Sequence, residues 1–262
     1  MSKMGNIELF ILDLDGTIYF ENQLIDGALD FIKTLSRKNI KYLFLTNNSS
    51  ISKSNYVEKL EALGIPCQDE DIYSSGGVTG IFLSKYRKGK NVFLVGTKAL
   101  SKELTNYGIE ITKENPDIVL VGYDRELDYN KLELACFFLE EGAEFIATNP
   151  DLLYPIKNKR YLPDCGSICK MLTTATKKEP LFIGKPNRYI IDIIVDELSV
   201  SHDRVAMVGD RLYTDIALGK NAGIFTVLVL SGETDEGMVY QSKHKPDLVV
   251  SSVKELTNLI NK

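Results

Sequence analysis

Histidine is scarce in this chain, and its scarcity removes two kinds of active site. Only His202 and His244 occur, and neither neighbours a cysteine in sequence. A zinc centre built from cysteine and histidine is therefore poorly supplied, as is a histidine-based nucleophile triad. Cysteine is nearly as rare: Cys67, Cys136, Cys165 and Cys169 are scattered. Only the last two have a spacing that shares a helix face, and free thiols are expected. The longest apolar runs fall short of a membrane span. No GxGxxG, internal repeat or low-complexity tract occurs. The opening MSKMGNIELF carries no apolar stretch of signal-peptide type before the first strand, so a cytoplasmic location is expected. Basic charge is in deficit as well. A net charge of −5 and a pI near 5.3 argue against a non-specific nucleic-acid binder. They point to a small-molecule substrate and no nucleic acid as partner; the short apolar runs argue against a membrane, and the oligomeric state is left open.

What is present is enough apolar material for more than one core. The 262 residues are 44% hydrophobic, long for one ordinary domain and comfortable for two. The organising stretch is Leu9 to Thr17, LFILDLDGT. Phe10, Ile11 and Leu12 run without polar interruption into Asp13, and Asp15, Gly16 and Thr17 follow. A continuous apolar run bounded by turn residues fits a central parallel strand, and open α/β sheets hold ligands beyond the carboxyl ends of such strands. If the extended geometry persists, side chains two apart share a face, and both carboxylates reach one ligand. Two such anions repel unless a cation lies between them or one holds a proton. The pair therefore predicts Mg²⁺, a raised pKa, or both, although Asp-Gly after a strand is also an ordinary turn.

The chain then alternates. Asp26 to Lys38 carries Ala28, Leu29, Ile32 and Leu35 at helical spacing, Ile40 to Leu45 is a second buried strand, and a helix is expected over Ser52 to Leu63. The second strand ends in Thr46, Asn47, Asn48, Ser49 and Ser50, hydrogen-bonding side chains where a parallel strand would open onto a ligand. Around Ser74 to Gly77 the pattern loosens, and a helix over Val78 to Tyr86 leads into a fresh series. In it, strands over Val92 to Val95, Asp117 to Gly122 and Glu144 to Thr148 alternate with helices from Lys98 and over Tyr129 to Glu140.

The first type of pattern resumes at Leu181 to Asn187, LFIGKPN, where Lys185 precedes a helix that Asn187 can cap. The strand RVAMVGD then runs into Asp210, with Asp215 five residues on, and strands over Ile224 to Leu230 and Asp247 to Val250 precede a helix over Val253 to Ile260. About thirty residues separate Asp13 from Thr46, but nearly 140 separate Thr46 from Lys185, a gap that needs its own core. The expected organisation is an α/β core formed by 1–80 and 183–262, with an inserted α/β domain over 81–182.

Three strand ends thus deliver acidic residues or a threonine, and a fourth delivers a lysine. Taken together they suit a cation and a phosphoryl group: Mg²⁺ prefers carboxylate oxygens such as those of Asp13 and Asp210. Thr46 and Lys185 would supply donors to phosphoryl oxygens.

The order DLDGT, TNN, GKP and GDRLYTD resembles the haloacid dehalogenase superfamily, specifically its phosphatases. LTNNSS, GAEFIATNPD, GKPN and GDRLYTDI are similar to the NagD and p-nitrophenylphosphatase branch, whose cap is inserted between the second and third motifs. The resemblance covers nearly the whole chain and implies a Rossmann-like parallel-sheet core with a smaller α/β cap. It implies Asp13 as the nucleophile forming an aspartyl phosphate and Asp15 as the acid and then base. Mg²⁺ would be held by Asp13, the Asp15 backbone carbonyl and Asp210, with Asp215 behind it through water. Thr46 and Asn47 would bind the phosphoryl group, and Lys185 would offset charge on it and on Asp13. Because a halide needs no proton, the aspartate at Asp15 resembles the phosphoryl-transfer members rather than the dehalogenases.

The cap would close over the site and read the leaving group. Lys157, Lys159 and Arg160, in a loop over Asn149 to Arg160, are candidate contacts for an anionic substrate, the alternative being a solvated turn. Gly166 and Ser167 fall where relatives carry a small-residue substrate loop, while Asp164 and Cys165 depart from several relatives, so specificity is not to be copied from any one of them. The expected activity is a Mg²⁺-dependent phosphatase of small monoesters such as sugar phosphates, nucleoside monophosphates or phosphoglycolate, with p-nitrophenyl phosphate as an artificial substrate. The alternatives are a phosphotransferase or mutase, and a phospho-ligand sensor without turnover.

Overall fold

The computed structural model describes residues 4–156 and 160–261. Its strands, in chain order, are β1 (Leu9–Leu12), β2 (Tyr19–Phe20), β3 (Gln23–Leu24), β4 (Lys41–Thr46), β5 (Ile72–Ser74), β6 (Val92–Val95), β7 (Ile118–Val121), β8 (Glu144–Ala147), β9 (Leu153–Ile156), β10 (Arg160–Pro163), β11 (Leu181–Phe182), β12 (Val205–Gly209), β13 (Phe225–Val229) and β14 (Leu248–Val250). By internal contacts the chain divides into two units. One comprises Met1–Thr46, Lys53–Tyr73 and Lys185–Lys262, and the other Asn47–Ser52 and Ser74–Gly184. No helix among the described residues is long and apolar enough to cross a membrane.

The first unit is built on a sheet of order β14-β13-β12-β1-β4-β5. Strand β1 pairs in parallel with both β12 and β4, and all four of its residues are buried, which is why its sequence is uniformly apolar rather than alternating. The chain leaves β1 for β4 on one side, while β12, β13 and β14 extend the sheet on the other. Strand order therefore reverses at β1, and in open α/β sheets such a reversal opens a crevice at the carboxyl ends of the strands. Helix Ala28–Arg37 buries Ala28, Phe31, Ile32 and Leu35, the stripe that a 3.6-residue period places on one face. Helix Tyr189–Leu198 does the same with Ile190, Ile191, Ile193 and Ile194. Arg188, just before it, makes no side-chain cap, and Asn187 supplies the acceptor instead, its Oδ1 taking the Tyr189 N–H at 3.2 Å.

The second unit carries its own parallel sheet, β11-β8-β7-β6. Phe93, Val95, Val119, Val121, Phe145 and Ala147 face helices Tyr129–Glu140 and Cys165–Thr176 in a separate core. Cys165 and Cys169 lie in that core on one helix face, and all four cysteines are free.

Two expectations need correction here. The helix expected from Val78 begins at Ser75, capped by the Ser74 hydroxyl, which accepts the Gly77 N–H at 2.9 Å. The expected loop over Asn149 to Arg160 contains β9, which pairs antiparallel with β10. A proline inside LYPI reads against a strand, but a two-stranded ribbon tolerates it. Arg160 opens β10 and is exposed; Lys157 and Lys159 lie outside the described residues.

Candidate active site

Asp13 follows directly on β1, and its backbone stays in the sheet: its N–H donates to the Val208 carbonyl at 2.9 Å. Two positions beyond β1 the geometry changes. The Leu14 carbonyl accepts the N–H groups of Thr17, Ile18 and Tyr19 at 3.3, 2.9 and 3.2 Å, which turns the chain sharply. The extended strand therefore does not continue past Asp15. The carboxylates that do converge are those of Asp13, Asp210 and Asp215, whose ligand atoms lie within 4.8 Å of one another and are all buried. Asp210 arrives at the end of β12, and Asp215 from a wide helical turn over Leu212–Ile216 whose start is fixed by the Arg211 N–H donating to Asp215 Oδ2 at 3.0 Å.

Lys185 ties this cluster together. Its Nζ donates to Asp13 Oδ1 at 2.5 Å, to Asp215 Oδ1 at 2.7 Å, and at 3.4 Å to the carbonyl of Leu45, one residue before Thr46. The lysine is only 3% exposed. Burial works to lower its pKa, but the Asp13 and Asp215 carboxylates outweigh burial and hold it above the ordinary lysine value. Asp13 is raised well above the usual carboxylate range, chiefly by burial; Lys185 partly opposes this, and Asp215 and Asp210 add to it. Asp210 is pushed up to about 7 by burial, with Asp215 adding to the shift. When ionised, these three acids carry more negative charge than Lys185 alone neutralises.

That excess has a structural counterpart. Asp210 Oδ2 accepts the Glu233 N–H at 2.6 Å, but Asp210 Oδ1 is buried with no hydrogen-bond partner. A buried carboxylate oxygen without a donor is costly and marks a position suited to a cation. The backbone around Asp210 is also kept bare. A Cβ on Gly232 would stand 2.0 Å from Asp210 Oδ2, and one on Gly16, whose φ is +88°, would stand 2.5 Å from it. The donor set fits a hard divalent cation, which takes carboxylate oxygens.

Asp15 sits beside this cluster in a different setting. Burial raises its pKa, while Lys59, Arg211, Lys185 and the nearby Tyr19 side chain oppose the rise. Lys59 Nζ lies 3.7 Å from the centre of the Tyr19 ring. Thr46 ends β4 and is buried. Asn47, next in the chain, falls in the second unit, where its Nδ2 donates to Asp151 Oδ2 at 2.6 Å; Asn149 Nδ2 donates to the same oxygen at 2.8 Å. Gly166 and Ser167 serve the same segment: a Cβ on Gly166 would meet the Pro150 carbonyl at 2.2 Å, and Ser167 Oγ donates to the Leu152 carbonyl at 2.6 Å.

Among the residues brought together, then, are Asp13, Lys185, Asp210 and Asp215 in one cluster, with Asp15 beside it. Sequence reasoning passed over Asp151 and over Arg211 and Glu233. Arg211 lies inside GDRLYTD, and its position next to Asp210 was the available signal.

Residues 10–110 match the family model of haloacid dehalogenase-like hydrolases, and residues 182–256 match a second model of HAD-like hydrolases. The chain is 34% identical over 246 residues to the 5'-nucleotidase YutF of Bacillus subtilis, covering 94% of this chain and 96% of that protein. It is 36% identical over 244 residues to an acid sugar phosphatase of Staphylococcus haemolyticus, covering 93% and 92%. Among solved structures it is similar to the 4-nitrophenylphosphatase of Thermotoga maritima, with a TM-score of 0.95, 42% identity, and coverage of 98% and 99%. The fold and these likenesses define a hydrolase of mixed α/β architecture with a parallel core sheet. The chain belongs to the haloacid dehalogenase-like hydrolases, with NagD and p-nitrophenylphosphatase among its structural neighbours. It is a phosphoric monoester hydrolase.

Proposed function

We propose that this chain is a Mg²⁺-dependent phosphatase of small phosphate monoesters, working through an aspartyl phosphate on Asp13. The observation that carries this reading is the buried cluster of Asp13, Asp210 and Asp215 around Lys185, with Asp210 Oδ1 lacking a partner. The relatives named as acid sugar phosphatase, 5'-nucleotidase and 4-nitrophenylphosphatase support the substrate range: sugar phosphates, nucleoside monophosphates and related small esters.

In this reading Asp13 attacks phosphorus, the bond to the ester oxygen breaks, and Asp15 gives its proton to the departing oxygen. A water then attacks the phosphorus of the aspartyl phosphate and gives its proton to Asp15, releasing inorganic phosphate and restoring Asp13. Lys185 holds Asp13 in place and offsets charge on the incoming phosphoryl group, while Thr46 and Asn47 donate to its oxygens. Asp13, Asp210 and the Asp15 carbonyl would hold Mg²⁺, with Asp215 behind it. When bound, the cation supplies charge neutralisation at the phosphoryl oxygens. The inserted unit serves as the cap that selects among esters.

The test is phosphate release from a panel of monoesters with Mg²⁺ and with EDTA, with Asp13→Asn as control. Multiple turnover that needs both Mg²⁺ and Asp13 supports the reading, provided inorganic phosphate is released in step with the alcohol. Product phosphate appearing on an added sugar or alcohol instead would make the enzyme a phosphotransferase. Absence of turnover with a phosphoryl group retained on Asp13 would make it a sensor.

A further inference from the structure

Arg211 presents a guanidinium that the protein encloses but does not saturate. Its side chain is 20% exposed, and its Nε lies 3.0 Å from Glu233 Oε2. That approach is close enough for an ion pair, but Nε is buried without a directed hydrogen bond. Among the described residues no protein acceptor takes a hydrogen bond from its terminal nitrogens. A guanidinium in such surroundings ordinarily satisfies its donors on carboxylates, and Asp13, Asp15 and Asp210 all lie within reach of its charge. It makes a hydrogen bond to none of them.

The arginine is nevertheless held at both ends. Its backbone N–H donates to Asp215 Oδ2 at 3.0 Å, which anchors the Cα beside the carboxylate cluster. Glu233 fixes the other end, and Glu233 is itself tied down. Its backbone N–H donates to Asp210 Oδ2 at 2.6 Å, and its carboxylate accepts the Tyr213 hydroxyl at 3.0 and 3.2 Å. One residue therefore orients Asp210 through its main chain and Arg211 through its side chain. The result is a guanidinium anchored beside three acids with its donors left over, a geometry that serves an anion with two or more oxygens.

We propose that Arg211 is a further phosphoryl-binding residue of this site, its fork donating to oxygens of the substrate phosphate, with Glu233 and Tyr213 as positioning residues. This rests on the phosphatase reading for the identity of the ligand. It does not require turnover: the proposal concerns binding of a tetrahedral oxyanion.

The probe is inorganic phosphate, titrated calorimetrically into the full-length protein in the presence of Mg²⁺, for wild type, Arg211→Gln, Arg211→Lys and Glu233→Gln. Mg²⁺ affinity is measured separately for each. Loss of a charge-assisted contact should weaken phosphate binding at least about tenfold in Arg211→Gln. Arg211→Lys keeps the charge without the fork and should fall between the two. Glu233→Gln leaves the backbone contact to Asp210 in place and should weaken phosphate binding with little change in Mg²⁺ affinity. Phosphate affinity within about twofold of wild type in Arg211→Gln, with altered Mg²⁺ affinity, would reduce Arg211 to a charge-balancing partner of the acids and overturn the proposal. If Arg211→Gln does not fold, Arg211→Lys decides by the same criterion. A wild-type protein that binds phosphate through Arg211 but hydrolyses no ester would sink the phosphatase reading and leave this one standing.

Discussion

Gly209 and Asp215 occupy nearly the same space. A Cβ on Gly209 would lie 2.3 Å from Asp215 Cγ and 2.4 Å from its Oδ2, so the last residue of β12 lacks a side chain in order that the carboxylate can lie against it. Gly209→Ala therefore has to displace Asp215, and with it the 2.7 Å contact to Lys185 and the 3.0 Å contact to the Arg211 N–H. The expected outcome is a loss of about 1–3 kcal/mol of stability from overpacking, together with a larger proportional loss of divalent-metal affinity. Denaturant unfolding and a metal titration on the same variant check it. Weaker folding with unchanged metal binding would show that Asp215 does not act in the cation site.

Lys185 offers a sharper case because it compensates two buried acids at once. Removing it in Lys185→Met leaves Asp13 and Asp215 without their shared counter-charge, and breaking a buried pair from one side costs about 3–5 kcal/mol. Without that ammonium, which at present lowers the Asp13 pKa, Asp13 should take up a proton more readily and lose nucleophilic character. We expect a lower midpoint in urea with an unchanged slope and no measurable turnover. Lys185→Arg should not restore activity, since a planar fork does not reproduce a compact ammonium 2.5 Å from Asp13 Oδ1. Full activity in Lys185→Arg would show that only the charge matters.

The strand ends of the core were legible because each is announced by an apolar run that stops at a polar residue: FIL before Asp13, FL before Thr46, and VAMVG before Asp210. Convergence of Asp13 and Asp210 then followed from parallel topology, whereas Asp215 arrives through the helical turn Leu212–Ile216 that follows β12. What stayed hidden has physical reasons. Strand β5 has three residues, too few to show a period. The helix from Ser75 opens with Gly76 and Gly77 and includes Gly80, residues that ordinarily weaken a helix. A Cβ on Gly76 would meet Leu100 at 2.7 Å, and one on Gly80 would meet Tyr107 at 2.4 Å, so two of these glycines allow close packing against helix Lys98–Asn106 and its end. The partnership of Arg211 with Glu233 was unreadable for another reason: 21 residues, strand β13 among them, separate the two, and nothing in either segment's pattern announces the other.

The raised acids give a pH dependence whose sign can be fixed. Asp210 is pushed up from 3.8 to about 7, and Asp13 is shifted in the same direction. Between those values the folded metal-free protein holds a proton that the unfolded chain has lost, so stability falls as pH rises through that window. Acids whose pKa is lowered, Asp192 and Asp247 among them, act with the opposite sign but below the ordinary carboxylate value, outside the window. A divalent cation needs the ionised carboxylates, so its apparent affinity should fall about tenfold per pH unit below about pH 7 for one displaced proton. Melting temperatures in EDTA should decline from about pH 5 to about pH 8, and the rise produced by Mg²⁺ should be larger at the upper end. A metal-free melting temperature that climbs across this range would contradict the assignment of the raised acids.

Asp15 lies outside the three-acid cluster, and that separation is what an acid needs. A carboxylate beside Asp13 and Asp210 on the same cation would be kept ionised, whereas Asp15, at the turn that follows Leu14, has a pKa raised by burial. Its rise is restrained by Lys59, Arg211, Lys185 and the Tyr19 side chain, which keeps the proton available for transfer. If this group protonates the leaving oxygen, its removal should matter in proportion to how badly that oxygen needs a proton. Asp15→Asn should cost about 10²–10⁴ in kcat toward sugar phosphates, but far less in the first step with p-nitrophenyl phosphate, whose phenolate departs with little help. If the same residue also serves as base for hydrolysis of the intermediate, a burst of p-nitrophenol followed by a slow steady state is expected. Rapid quench with both substrates separates the two steps. Equal losses on the two esters, without a burst, would remove Asp15 from proton transfer and leave it a positioning role beside Tyr19.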